Sequence, residues 1–194
     1  MSKQVEKRWR MKPAGEQEAV ERLTTEKCPG TAARLLVQRG IRNAEEASAF
    51  FRPDLAQLHD PFLMKDMDKA VKRLEQALGD GERIMVYGDY DVDGTTAVAL
   101  VYSFLNKYTS NLTFYIPDRY SEGYGISMQG IDHAAADGVK LIIALDCGIK
   151  ALAQVAHARS LGIDMIICDH HRPGEVLPDA VAVLDPKRPD CSYP

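Results

Sequence analysis

The sequence predicts an α/β fold built on a parallel, doubly wound sheet of five strands, with a helical extension before it. From about residue 83, apolar runs of four to six residues alternate with segments of helical spacing, which is typical of a parallel sheet covered on both faces. The chain has 194 residues, of which 45% are hydrophobic, so it can bury a substantial core. Polar clusters follow the apolar runs directly, and in such sheets ligands bind beyond the carboxyl ends of the strands. We therefore expect a functional site at that edge.

The first 80 residues carry helical spacing and no strand pattern. Helices are expected over residues 16–27, over residues 31–39, from Asn43 to Phe51, and from Asp66 to Gly79. Asn43 and Glu46 have the spacing of a capping box, which marks the start of the third helix. We therefore divide the chain into a helical extension, residues 1–80, and an α/β domain, residues 81–194.

The α/β part of the sequence alternates strand and helix patterns. Strands are expected over residues 84–87, 112–116, 141–145, 165–168 and 180–184, and helices over residues 95–106, 128–137 and 150–161. A polar cluster follows each of the first four strands. One acidic turn is common, but four turns at the same sheet edge indicate side chains that act together.

The first cluster lies in the run VYGDYDVDGTTA, residues 86–97, which has Asp89, Asp91 and Asp93 at alternate positions. In an extended segment alternate side chains project to one side, so the three carboxylates are expected to face a single point. Two carboxylates about 5 Å apart repel each other by roughly 3 kcal/mol at an effective dielectric constant near 20, and a divalent cation would offset this cost. Thr95 is expected to cap the helix that follows. The alternative interpretation is an acidic, solvated turn.

The second cluster is the run ICDHH, residues 167–171, which combines a carboxylate with two imidazoles. Such mixtures suit Mn²⁺, Mg²⁺ or Fe²⁺. Four side chains are the candidate ligands of two cations: Asp91, Asp93, Asp146 and His170. Asp93 and Asp146 follow neighbouring strands and are the candidates to bridge both cations, which would make them catalytic. Adjacent residues of an extended stretch point apart, so His171 is expected to face the substrate or to act as an acid.

Other acids flank these candidates in the sequence. Asp89 precedes the first ligands and Asp169 precedes the two histidines, and both are expected to support the ligands from behind. Asp118 and Asp185 are interpreted as turn or cap residues and are left out of the ligand set.

The loop IPDRYSEGYGIS, residues 116–127, is the candidate substrate-binding segment. Arg119 offers a planar guanidinium that can bind a phosphate through two hydrogen bonds. Tyr124 can stack on a base, as can Tyr120, and Gly125 permits a close approach of the backbone. The alternative is a surface loop whose glycines form turns.

Charge and cysteine content restrict the class of protein. The net charge of −4 argues against a generally basic nucleic-acid-binding surface, although the first twelve residues are basic and contain Trp9. This segment is either a solvated tail or a contact to nucleic acid.

The four cysteines form no Cys-x-x-Cys pair, and the sequence has no secretory segment, so a reducing cytoplasm is the expected compartment. Cys147 and Cys168 flank site residues and are interpreted as small buried side chains.

Four motifs occur in order along the chain: GDYDVDGTTA, the loop RYSEGYG, LDCG at residues 145–148, and Asp-His-His. Together they resemble the DHH phosphoesterase family, and within it the bacterial exonucleases that degrade single-stranded DNA in the 5′→3′ direction. The resemblance covers the chain from about residue 30. It implies a site for two Mn²⁺ or Mg²⁺ ions with the four ligands named above, His171 near the scissile phosphate, and a role in recombination and DNA repair.

The resemblance also implies properties that lie beyond the quoted residues. The expected partners are single-stranded DNA, a single-strand-binding protein and a helicase; the protein is expected to be a monomer without membrane contact. In the family a further metal-binding aspartate and a second, basic domain come later, so this chain is expected to be an N-terminal fragment with little activity of its own.

Two alternatives stay open. The first is a DHH-family phosphodiesterase or pyrophosphatase that acts on short oligonucleotides, cyclic dinucleotides or pyrophosphate. The second is a non-catalytic scaffold. The Glu-Gly-Tyr-Gly loop and the helical extension favour the exonuclease over the first alternative, and the intact acids argue against the second.

Overall fold

The computed structural model describes residues 8–25 and 27–194. The first part of the basic N-terminal segment, residues 1–7, therefore lies outside the described residues. The chain divides into two units, the first ending at Leu58 and the second comprising His59–Pro194. The predicted boundary at residue 80 differs from this division, because the helix before residue 80 packs against the sheet of the second unit.

The described residues of the first unit form three α-helices and a short 3₁₀ helix: α1 (Gln17–Leu23), α2 (Gly30–Val37), α3 (Ala44–Phe51) and the 3₁₀ helix Leu55–Gln57. Buried side chains of α1 and α2, among them Leu23 and Leu36, form a small apolar cluster. α1 ends four residues earlier than predicted, because Thr24 is already in an extended conformation. Asn43 accepts a hydrogen bond from the Glu46 N–H over 2.8 Å, which confirms the predicted start of α3.

The second unit has alternating helices and strands, as predicted. In chain order they are α4 (Met67–Gly79), β1 (Ile84–Gly88), α5 (Val92–Leu105), β2 (Leu112–Tyr115), α6 (Met128–Ala136), β3 (Leu141–Leu145), α7 (Leu152–Ser160), β4 (Asp164–Cys168) and β5 (Ala182–Leu184). All neighbouring strands are parallel, in the order β2-β1-β3-β4-β5. This confirms the five-stranded, doubly wound sheet. Within the described ranges, no helix is both long and apolar enough to cross a membrane.

Helices cover both faces of this sheet because alternate strand residues point to opposite sides. Ile84 and Val86 of β1 pack with apolar residues of α4 and α5. Met85 and Tyr87 pack with apolar residues of α6 and α7 on the other face. Every residue of β1 and β3 is buried, which explains their continuous apolar sequences. Burial of each large aliphatic side chain contributes about 1.5–3 kcal/mol, so the sheet gives the polar edge a rigid support.

Candidate metal centre

The carboxyl ends of β1, β3 and β4 bring the predicted acids and histidines to one edge of the sheet. β1 and β3 are neighbours where the strand order reverses, which is where open α/β sheets bind ligands. Asp146 directly follows β3 and has a left-handed backbone conformation with a φ of 59°. Non-glycine residues adopt this conformation rarely, and such residues cluster at functional sites. The Asp146 N–H donates to the Cys168 carbonyl over 2.8 Å, so the ends of β3 and β4 are joined.

Asp146, His170 and His171 offer ligand atoms that all lie within 4.8 Å of one another. His170 Nε2 lies 2.9 Å from Asp146 Oδ1, and the centroids of the two histidine rings are 4.7 Å apart. The expectation that adjacent histidines point apart is wrong. β4 ends at Cys168, so the histidines belong to an irregular segment in which side chains do not alternate. The structure therefore adds His171 to the group of candidate ligands.

Asp169 is buried and accepts hydrogen bonds through both of its carboxylate oxygens. Oδ1 accepts from the His170 N–H and from His171 Nδ1, each over 2.7 Å, and Oδ2 accepts from the Ile149 N–H over 2.9 Å. Burial alone raises the pKa of Asp169, but the hydrogen bonds outweigh burial and hold the pKa below its usual value. Donation by Nδ1 leaves Nε2 of His171 as the atom available to a metal or a substrate.

The segment after β1 differs from its prediction. Only residues 89–91 separate β1 from α5, so the three aspartates do not lie along one extended segment. Asp91 is the N-cap of α5 and accepts a hydrogen bond from the Gly94 N–H over 2.9 Å. Thr95 is not the cap, because its hydroxyl donates to the Asp91 carbonyl. Asp93 lies in the first turn of α5 and is exposed.

The charges of Asp91 and Asp93 act on Asp146. Burial raises the pKa of Asp146, and the charge of Asp91 raises it further, followed by that of Asp93. His170 and His171 act in the opposite direction. Charges in a partly buried site shift one another's pKa values most strongly over short distances. Asp91 and Asp93 therefore influence the group formed by Asp146, His170 and His171 through their charge, but they are not members of that group, in which all ligand atoms lie within 4.8 Å of one another.

Asp89 is a buried acid at this edge whose carboxylate is only partly compensated by hydrogen bonds. It is 0% exposed, its Oδ1 accepts from the Tyr90 N–H, and its Oδ2 has no hydrogen-bond partner among the described residues. Burial, and then the charge of Asp91, raise the pKa of Asp89. Buried carboxylates with raised pKa values are stabilised by a nearby positive charge. Carboxylate and imidazole donors suit Mn²⁺ or Mg²⁺, so the residues present fit such an ion.

Asp185 belongs to this edge too, although the sequence interpretation left it out. It caps a turn as predicted, since Oδ1 accepts from the Lys187 N–H over 2.7 Å. It is also 0% exposed, and its Oδ2 has no hydrogen-bond partner among the described residues. Like the other acids, Asp185 directly follows an apolar strand, and that signal could have identified it.

Residues 83–193 match the family model described as the DHH family, N-terminal domain. The chain belongs to the DHH family. It is 46% identical over 162 residues to the single-stranded-DNA-specific exonuclease RecJ of Bacillus subtilis, an alignment that covers 84% of this chain and 21% of that protein. The resemblance inferred from the four motifs is thereby confirmed.

Two solved structures are similar to this DHH-family chain. One is RecJ from Thermus thermophilus in complex with Mn²⁺, with a TM-score of 0.64 and 29% identity, covering 91% of this chain and 24% of that chain. The other is an exonuclease RecJ bound to manganese, with a TM-score of 0.62 and 34% identity, covering 69% of this chain and 34% of that chain. The chain spans about a fifth to a third of the length of these relatives.

Tyr124 and Arg119, two of the three predicted substrate-binding residues, lie beside the site. Tyr124 is near His171, and Arg119 is near Tyr90 of the segment after β1. The Tyr124 hydroxyl lies 3.4 Å from His171 Nε2, and burial, followed by the charge of Asp89, raises its pKa to about 12. The Arg119 guanidinium lies over the ring of Tyr90, with Cζ 5.2 Å from the ring centroid. Tyr120, the other tyrosine predicted to stack on a base, is 95% exposed.

The substrate loop is held by residues that the sequence interpretation did not identify. Gly125, with a φ of 81°, accepts through its carbonyl from the Tyr87 hydroxyl over 3.2 Å. Glu122 accepts from the hydroxyls of Ser127 and Tyr115 and from the Asp118 N–H. The Glu-Gly-Tyr-Gly motif was the available signal for Glu122, although the motif alone does not reveal its hydrogen-bond partners.

A cavity of about 280 Å³ lies beside His171 and Tyr124. Its lining includes Ile126, Cys147 and Lys150. Burial raises the pKa of the Cys147 thiol well above its usual value, so this cysteine is a protonated packing residue, as predicted. The cavity therefore offers apolar surface next to the candidate metal ligands.

Proposed function

We propose that this chain carries the metal-dependent centre of an exonuclease that hydrolyses single-stranded DNA from the 5′ end, in recombination and DNA repair. The observation that carries the proposal is the group formed by Asp146, His170 and His171, with ligand atoms within 4.8 Å, in a DHH-family chain. The relatives that match most of this chain are single-strand-specific exonucleases. The 5′→3′ direction is inferred from the resemblance to that group.

The proposed ligands of two Mn²⁺ or Mg²⁺ ions are Asp91, Asp93, Asp146 and His170. Two solved relatives are manganese complexes, which supports the choice of metal. Bound divalent cations neutralise phosphate charge and activate water for attack on the phosphodiester. The polypeptide contributes the fixed positions of the donors: Asp91 is held by the start of α5, and Asp146 by the joined ends of β3 and β4.

The remaining site residues are assigned to the substrate. Arg119 binds a backbone phosphate through its guanidinium, Tyr124 stacks on a base, and Gly125 allows the strand to approach the loop. His171 also belongs to the group of candidate ligand atoms, but we assign its Nε2 to the scissile phosphate, since Asp169 holds the ring through Nδ1. The buried acids Asp89 and Asp169 support the ligands from behind.

A cytoplasmic location is part of the proposal and is supported by the four free cysteines, which suit a reducing compartment. A monomer that works with a single-strand-binding protein and a helicase stays a prediction from the resemblance. It can be checked by sedimentation and by co-purification from cells.

The decisive experiment is a nuclease assay of the full-length natural protein. It uses Mn²⁺ and long DNA substrates that carry a label at the 5′ or the 3′ end. We expect mononucleotides to be released from the 5′ end of single strands, while blunt duplexes stay intact. The Asp146→Asn variant serves as the inactive control for contaminating nucleases. Release from the 3′ end, or equal digestion of duplex DNA, would contradict the proposed polarity or substrate.

The same assay separates the alternative functions. Hydrolysis of dinucleotides, cyclic dinucleotides or pyrophosphate, with long DNA left intact, would identify a small-substrate phosphoesterase. DNA binding without hydrolysis of any of these compounds would identify a scaffold. Either result would replace the exonuclease proposal.

A further inference from the structure

Tyr90 connects the segment after β1 with the substrate loop. Its backbone N–H donates to Oδ1 of the buried Asp89 over 2.7 Å. The backbone of Asp89 is in turn packed against Gly94 of α5, so tightly that a Cβ at position 94 would lie 2.4 Å from the Asp89 carbonyl oxygen. The backbone at Tyr90 is therefore fixed by the contact between β1 and α5.

The ring of Tyr90 contacts two side chains of the loop formed by residues 116–127. The Cζ atom of Arg119 lies 5.2 Å from the ring centroid, and the ring of Tyr124 meets that of Tyr90 edge to face, with centroids 6.2 Å apart. The exposed Arg119 guanidinium has no hydrogen bond or ion pair with any residue that the structure describes. Its contact with an aromatic face leaves the N–H groups at its edge free for a phosphate.

We propose that Tyr90 is a positioning residue that holds the Arg119 guanidinium where it binds a backbone phosphate of single-stranded DNA. The inference rests on the proposed function, because it assigns Arg119 to the substrate. A free arginine side chain loses rotamer freedom when it binds a phosphate, and this loss weakens binding. The Tyr90 ring removes much of that freedom before the substrate arrives, without contacting the phosphate itself. The aromatic ring is the part required, and the hydroxyl is not.

The test compares variants in binding of a single-stranded oligonucleotide with a 3′ fluorescent label, measured by anisotropy in EDTA to prevent hydrolysis. The variants of the natural protein are Tyr90→Leu, Tyr90→Phe and Arg119→Ala. Tyr108→Leu is the matched control, because Tyr108 is an exposed tyrosine that follows α5 at the end remote from the site. We expect Tyr90→Leu to raise Kd by about two- to fivefold, the effect of losing one exposed cation–π contact. Tyr90→Phe and Tyr108→Leu are expected to bind like the wild type.

Salt dependence distinguishes positioning from a general structural role. Each phosphate contact on single-stranded DNA contributes about 0.7 to the slope of log K against log salt concentration. Tyr90→Leu should reduce this slope toward that of Arg119→Ala, although it removes no charge. Tyr90→Leu should also have little effect when Arg119 is already alanine, because its role is exerted through that guanidinium.

Several results would overturn the inference. They are an unchanged slope in Tyr90→Leu, an equal loss of affinity in Tyr90→Phe, or additive effects of Tyr90→Leu and Arg119→Ala. The proposed function is judged separately, from hydrolysis by the wild-type protein with Mn²⁺. If the wild-type protein bound single strands without cleaving them, the proposed function would be wrong. The coupling between Tyr90 and Arg119 could still be measured in the anisotropy assay.

Discussion

Asp169 and Asp185 follow paired neighbouring strands, yet their surroundings shift their pKa values in opposite directions. The backbone N–H of Asp169 donates to the Leu184 carbonyl, which keeps the two residues side by side. The Asp169 carboxylate accepts hydrogen bonds on both oxygens, whereas Oδ2 of Asp185 has no partner among the described residues. Hydrogen bonds therefore lower the pKa of Asp169, while burial raises the pKa of Asp185.

Asp185→Asn is expected to stabilise the metal-free protein at pH 7. Because the folded-state pKa of Asp185 is raised, the folded state binds the proton more tightly than the unfolded state, and the ionised carboxylate destabilises the fold at neutral pH. The asparagine carbonyl can still accept from the Lys187 N–H. Urea unfolding in EDTA should give a higher midpoint at pH 7, and the gain should disappear below about pH 4. A lower midpoint at pH 7 would contradict this prediction.

Asp169→Asn should have the opposite effect on stability. The folded-state pKa of Asp169 is lowered, so its carboxylate contributes stability that is present above about pH 4 and lost as the pH falls through the folded-state value. The variant should therefore be less stable than the wild type at pH 7 and should approach it in acid. Its kcat on single-stranded DNA should also fall by about 10- to 100-fold, because the His171 ring loses its charged partner.

Asp146→Asn and Asp93→Asn test the proposed bridging ligands. Each substitution keeps the shape of the side chain but removes a charge that serves both cations, so exonuclease activity should fall by about two orders of magnitude or more. Asp132→Asn is the matched control, since Asp132 is an exposed acid of α6 that pairs with His157. Retention of more than about a tenth of the wild-type rate at saturating Mn²⁺ would reject the bridging role.

His170→Ala and His171→Ala separate the proposed roles of the two histidines. His170 Nε2 lies beside Asp146, so its removal should weaken Mn²⁺ binding in a calorimetric titration. His171 is assigned to the phosphate, so its removal should spare metal affinity and lower turnover. Equal metal affinities of the two variants would show that this assignment is wrong. That outcome would agree with the presence of both rings in the same group of ligand atoms.

Strand and helix patterns made the order of elements and the edge that carries the polar residues predictable. Asp89, Asp146 and Asp169 could be located there because each follows a buried apolar run. The local course of the chain after each strand could not be predicted in the same way. The extended spacing expected for the first acids failed because α5 begins at Val92, and the expected separation of the histidines failed because β4 ends before them.

The sequence by itself determined the fold class, the sheet edge that carries the site, and the residue types that suit a divalent cation. Its motifs also determined the family. The tertiary structure alone decided which buried acids have an oxygen without a hydrogen-bond partner among the described residues, which tyrosine hydroxyl approaches His171, and which ring lies under Arg119. The reason is physical: strand and helix patterns are local periodicities along the chain. Desolvation, hydrogen-bond partners and cation–π contacts depend on side chains that lie tens of residues apart and meet only when the sheet is assembled.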